Sequence, residues 1–140
     1  MHSKRMEKIA LATALMLLPT GCGKGADALC THRSVHETVR ELVGEQELGA
    51  AGVRLIPNAF SVRPDSATYV STDKQTNTVR CSVAVVTDIF QLMSFGESEE
   101  DIQKLRAEAI KKGFPLSKET IVHFTVQTLA SGQLYVVLIQ

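Results

Sequence analysis

Residues 78–90 read Thr-Val-Arg-Cys-Ser-Val-Ala-Val-Val-Thr-Asp-Ile-Phe. Val79, Cys81, Val83, Val85 and Ile89 alternate with Arg80, Ser82, Ala84 and Asp88, a period of two. Successive side chains of a strand point to opposite faces, so this stretch is a half-buried strand with Cys81 on its core side. A polar turn, Asp73 to Asn77, precedes it and joins it to a second strand-like run from Ala67 to Thr72. Two such runs around a short polar turn make an antiparallel hairpin.

The segments flanking this hairpin extend the same sheet. Upstream, Val53 to Val62 is strand-like, interrupted by Pro57-Asn58 and stopped by Arg63-Pro64-Asp65. Downstream, Val122, Phe124 and Val126 alternate with His123, Thr125 and Gln127, and Ala130-Ser131-Gly132-Gln133 turns the chain into Leu134 to Ile139. That last run is apolar on both faces, the pattern of a central strand covered on two sides. Two helices punctuate the strands. Ser34-Val35-His36-Glu37 has the S-x-x-E form of a capping box, Val35, Val39, Leu42 and Val43 follow at helical spacing, and Gly49 is the expected stop. Ser98-Glu99-Glu100-Asp101 opens the second helix with acid and Lys111-Lys112-Gly113 closes it with base and glycine, matching the helix dipole; Ile102, Leu105, Ala109 and Ile110 form its packing side. The fold class is therefore α+β, two helices packed on an antiparallel sheet of about four strands. In architecture alone, the order resembles cystatin-like modules that set a helix on a curved sheet.

The N-terminus belongs to a different kind of segment. Lys4, Arg5 and Lys8 precede the apolar run Ile9 to Leu18, and Pro19 then leads into small residues. This is the order of a secretory signal peptide, and ten apolar residues fall short of the roughly 20 that span a bilayer as a helix. Thr20-Gly21-Cys22 resembles the end of a bacterial lipoprotein lipobox, with Pro19 where leucine is usual. The resemblance implies a signal peptide over residues 1–21 and acylation of Cys22; residues 22–29 then form a lipidated N-terminus and flexible tether, and the length that remains, 30–140, suits a single domain. Gly23 after the cysteine fits sorting to the outer membrane, with the domain facing the periplasm. An A-x-A pattern at Ala26-Asp27-Ala28 leaves open a cut by the general signal peptidase.

Composition narrows the partners. The chain has 15 basic and 15 acidic residues, and residues 1–21 hold three of the former and one of the latter, leaving 12 against 14 from Cys22 onward. A formal charge near −2 gives no basic surface to condense on nucleic acid. With Cys22 assigned to the anchor, Cys30 and Cys81 remain, and an exported chain with an even remainder predicts a disulfide between them.

Catalytic signals are sparse. Cys30, His32 and His36 carry zinc-type ligand atoms, but Glu37 follows the second histidine, no third and fourth ligand is evident, and the thiol suits the disulfide better. The two histidines are accordingly expected to be solvated in the first helical turn, with no metal or cofactor. His123 is expected on the sheet surface, and no nucleophile motif accompanies it. The connection Gln91 to Gly96 is unlike an ordinary loop because it carries Leu92, Met93 and Phe95 together; these three are the candidate partner contact, or else they cap the end of the core. The expected function is a membrane-anchored, periplasm-facing lipoprotein, not an enzyme, that binds a protein as an envelope-assembly subunit or as an inhibitor or immunity-type protein. A small-ligand carrier using the concave sheet face is the alternative, and an enzyme is the least favoured.

Overall fold

The computed structural model describes residues 25–140; Cys22 and the residues assigned to the signal peptide and lipobox lie outside that range. The period-two stretch forms strand β2 (Thr78–Asp88), with Val79, Cys81, Val83 and Val85 buried and Arg80 exposed. It lies inside a four-stranded antiparallel sheet with β1 (Phe60–Asp73), β3 (Ser117–Thr128) and β4 (Leu134–Ile139), in the order β1-β2-β3-β4. Two helices precede the sheet, α1 (Gly25–Thr31) and α2 (Arg33–Leu55). Two more, α3 (Ile89–Met93) and α4 (Glu99–Lys112), lie between β2 and β3. The fold is α+β, as the alternation and the capping signals require.

One sheet face carries the core. Val79, Cys81, Val83 and Val85 pair in register with Val126, Phe124, Val122 and Thr120, and Phe124 and Val126 with Leu138 and Val136. Against this face pack Leu29 and Cys30 of α1 and Val35, Val39, Leu42 and Val43 of α2. Phe124, Leu134, Val35 and Val83 are wholly buried, and burying side chains of this size stabilises by about 1.5–3 kcal/mol each. The opposite face is solvated at Arg80, Ile121 and His123.

Cys30 and Cys81 are disulfide-bonded with their Cα atoms 5.5 Å apart. The bond joins α1 to β2 across a sequence separation of 51, a loop whose closure stabilises by roughly 4 kcal/mol on the chain-entropy model.

Several expectations are corrected. The tether does not extend to residue 29: from Gly25 the chain is helical, with Leu29 buried in the core. Ser34 is not the helix cap. His32 takes that place in an extended conformation, and its Nδ1 accepts the Ser34 N–H at 3.1 Å. Glu37 lies 3.8 Å from Arg33 on the wet side instead. His36 is not solvated; it is buried and donates from Nε2 to the Cys30 carbonyl at 2.7 Å, satisfying the end of α1.

Gly49 does leave the helical region, at φ 79°, but the helix resumes to Leu55, so Val53 is helical rather than strand. Pro57–Ala59 then forms a 3-10 turn before β1. Nor does Arg63-Pro64-Asp65 end a strand, because β1 runs through it by a register shift between Arg63 and Thr68. The Ser66 hydroxyl donates to the Arg63 carbonyl at 2.6 Å and accepts the Ala84 N–H at 2.8 Å, standing in for the interrupted ladder. Proline is tolerated there because β1 is an edge strand. β4 is also an edge strand, not a central one; its second set, Tyr135, Val137 and Ile139, stands half-buried beside Gln127, Thr125 and His123 of β3. Finally, the 78–90 strand ends at Asp88, whose carboxylate accepts the Gln91 N–H and starts α3, so Ile89 and Phe90 are helical.

Candidate functional site

Asp88 and Ser117 are register partners in the β2–β3 ladder. The two strand ends therefore lie about 5 Å apart, and a two-residue turn would join them. The chain instead makes an excursion through residues 89–116, which the sheet does not require for closure. Long excursions from a rigid scaffold are where proteins place their working surfaces.

The excursion is tied down at one end only. The Phe90 N–H donates to the Leu116 carbonyl at 3.3 Å, Phe90 is buried, and Ser94 closes α3 by donating from both its N–H and its hydroxyl to the Phe90 carbonyl. Beyond it α4 is held by its own sequence. Ser98 caps it by accepting the Asp101 N–H, and Glu100–Lys104 and Glu108–Lys112 pair at 3.3 and 2.8 Å. The Lys112 ammonium holds the Glu108 carboxyl below its usual range by hydrogen bond and charge. Gly113, at φ 75°, returns its N–H to the Ala109 and Ile110 carbonyls.

No residue of α4 is buried. This overturns the expected packing of Ile102, Leu105, Ala109 and Ile110: only Ile102 and Ala109 are half-buried, while Leu105 and Ile110 are exposed. The contact with α3 runs through Arg106, whose guanidinium lies 4.4 Å from the centre of the Phe90 ring. Between the two helices opens a groove of about 430 Å³ lined by Ile89, Phe90, Met93, Leu105, Phe114 and Leu116 among others. Its lining is apolar and wet: Met93 is 77% exposed, Phe114 60% and Leu105 42%, while Phe95, on the turn after α3 and outside the lining, is 54% exposed.

The three residues singled out from the sequence therefore divide. Leu92 turns inward and packs against the core, whereas Met93 and Phe95 face solvent. The segment holding them is the short helix α3 and the turn after it rather than a loop. Leu105, Phe114 and Leu116 were not singled out as contact residues. Their signal was present in Phe114-Pro115-Leu116, an apolar run placed directly after a helix stop.

Of the described histidines, His32 and His36 serve the α1–α2 junction. His123 is exposed and stands opposite Ser82 on the solvated face, but no hydrogen bond joins them. The adjacent register positions are Arg80, Ala84, Thr125 and Ile121 on β2 and β3 and Ile139 on β4, and Glu47 lines a shallow pocket together with His123 without a hydrogen bond to it. His32 is titration-shifted for a structural reason: burial, and then the neighbouring His36, lower its pKa. Among the described residues no three His, Cys, Asp or Glu side chains gather as a metal site. No protein-family model, curated protein or solved structure matches the chain.

Proposed function

We propose that this chain is a lipid-anchored binding protein of the bacterial envelope, joined to the outer membrane through Cys22 and engaging a protein through the α3–α4 surface. The observation that carries the reading is the excursion at residues 89–116: it is unnecessary for closing the sheet, it exposes Met93, Leu105 and Phe114 around an apolar groove, and it leaves Phe95 exposed on the turn after α3. A solvated apolar patch on a presented element is costly to retain unless a partner covers it. An assembly subunit and an inhibitor both act by such a surface.

The packing of α1 also supports the anchor at Cys22. A cut after Ala28 would remove most of α1, including Ala26, which packs against the core. A cut before Cys22 keeps the whole helix.

The test has two parts. Labelled palmitate is expected on the wild type and not on Cys22→Ser; equal labelling of both sinks the anchor. Affinity purification from envelope extract is expected to recover a protein with the wild-type surface and to lose it with Met93→Asp and Phe95→Asp, both of which leave the fold intact because their side chains are already in water. A second reading, a carrier of small apolar ligands, draws on the groove volume, which lies in the range of ligand sites. Because α1 and α2 pack on the core face of the sheet, this reading draws on the groove instead of that face.

A further inference from the structure

We infer that the α3–α4 surface takes a second copy of this chain, with the two α4 helices antiparallel about a two-fold axis. The inference rests on the reading of this surface as a docking site and names its occupant.

Charge order along α4 is the first argument. Glu99, Glu100 and Asp101 occupy its first turn and Lys111 and Lys112 its last, with the midpoint between Leu105 and Arg106. Two such helices side by side in parallel set acid on acid and base on base. Antiparallel, each acidic turn meets a basic turn about 20 Å away from its mate along a helix of this length. Every charged end is then answered by the same sequence, which is the condition an isologous two-fold contact imposes.

Shape supplies the second argument. The apolar groove and the apolar knobs that could enter a groove, Met93 and Phe114, belong to the same surface. A two-fold axis lets each copy offer its knobs to the other's groove at once. The exposed parts of Met93, Leu105 and Phe114 come to roughly 350 Å², under half of the about 800 Å² that each partner gives to a standard interface. The polar rim of α4 supplies the remainder. The pairing leaves the sheet and the disulfide of each copy undisturbed, since neither belongs to the excursion.

The test is sedimentation equilibrium of the full chain carrying Cys22→Ser, over a concentration series into the hundreds of micromolar. A monomer–dimer equilibrium is expected, and Met93→Asp with Phe114→Asp should raise the dissociation constant at least tenfold with unchanged circular dichroism. Glu99→Lys with Asp101→Lys, and separately Lys111→Glu with Lys112→Glu, should each weaken the homodimer. Mixing the two should restore a dimer containing one of each. A monomer throughout the series overturns the second copy as occupant, as does a dimer indifferent to the apolar changes, or a mixture no stronger than either variant alone. If that monomer still captures an envelope protein through Met93 and Phe95, the docking surface stands and only its occupant is refuted.

Discussion

Replacing Gly44 by alanine tests how α2 is folded back on itself. A helix-interior glycine costs about 1 kcal/mol relative to alanine, so propensity alone predicts a gain. The surroundings reverse the sign. Because Gly49 breaks the helix at φ 79°, residues 50–55 return over the preceding turns, and a Cβ on Gly44 would lie 2.4 Å from Val53 Cγ2, 3.3 Å from Val53 Cβ and 3.4 Å from Phe60 Cδ2. Val53 must retreat by roughly 1 Å to reach ordinary contact, and a β-branched side chain in a helix has one strongly preferred rotamer. Overpacking of this kind costs about 1–3 kcal/mol, so Gly44→Ala should lose about 1 kcal/mol net. In a Val53→Ala background the 2.4 Å contact is gone, and the same substitution should gain up to about 1 kcal/mol. The coupling between the two sites, about 2 kcal/mol, is read from urea midpoints of the four oxidised chains. A stabilised Gly44→Ala single variant, or an equal effect in both backgrounds, would refute the folded-back helix.

Three further outcomes follow from named contacts. Removing the disulfide with Cys30→Ala and Cys81→Ala should cost roughly 4 kcal/mol in urea unfolding, and unreduced protein should resist alkylation at both thiols; ready alkylation would disprove the bond. For His32 the folded pKa lies below its ordinary value, so between the two values the unfolded chain binds more protons and stability rises with pH, becoming full above about pH 6.5. Protonation of Nδ1 would also take the acceptor from the Ser34 N–H. His32→Asn, which keeps a capping oxygen, should flatten the rise in melting temperature between about pH 5 and about pH 7.5, and an unchanged slope would remove His32 as its source. Replacing residues 95–113 by a short Gly/Ser linker should shift the unfolding free energy by less than about 1 kcal/mol while abolishing partner capture; loss of the fold would show that the excursion is structural.

The sheet was legible wherever one face is buried and the other wet. Val79, Cys81 and Val83 alternate with Arg80 and Ser82 because burial distinguishes their faces, and the same holds for Phe124 and Val126 against His123 and Thr125. β4 misled because Tyr135, Val137 and Ile139 are apolar without being in the core; their neighbours across the ladder, Gln127, Thr125 and His123, show that this is the solvated face. Arg63-Pro64-Asp65 misled for another reason. The Ser66 hydroxyl repairs the ladder from outside the local pattern, and a compensation of that kind has no signature in spacing. His32 acting as a cap, and His36 holding the Cys30 carbonyl, are likewise side-chain contacts that helical spacing alone could not order.

The candidate surface exposes the limit most sharply, because α4 carries the apolar stripe of a packed helix, Ile102, Leu105, Ala109 and Ile110, and yet buries none of these residues. Its caps, its charge order and its i,i+4 pairs hold it together locally, and each such device is worth only a few tenths to about 1.5 kcal/mol. Most helices in folded domains owe their stability instead to burial of an apolar face. A helix that has invested in local devices, and that keeps Leu105 and Ile110 in water, draws little of its stability from burial in its own domain. It is presented ready-formed, so little ordering entropy opposes its docking. Gly113→Ala isolates this point: no atom lies within 4 Å of the added Cβ, so its cost is backbone strain at φ 75° alone, about 1–2 kcal/mol. Because no residue of α4 is fully buried, that loss should appear as faster amide exchange within Glu99–Lys112 and weaker partner capture. The global urea midpoint should barely move, and a midpoint lowered by the full amount would mean that α4 is coupled to the core.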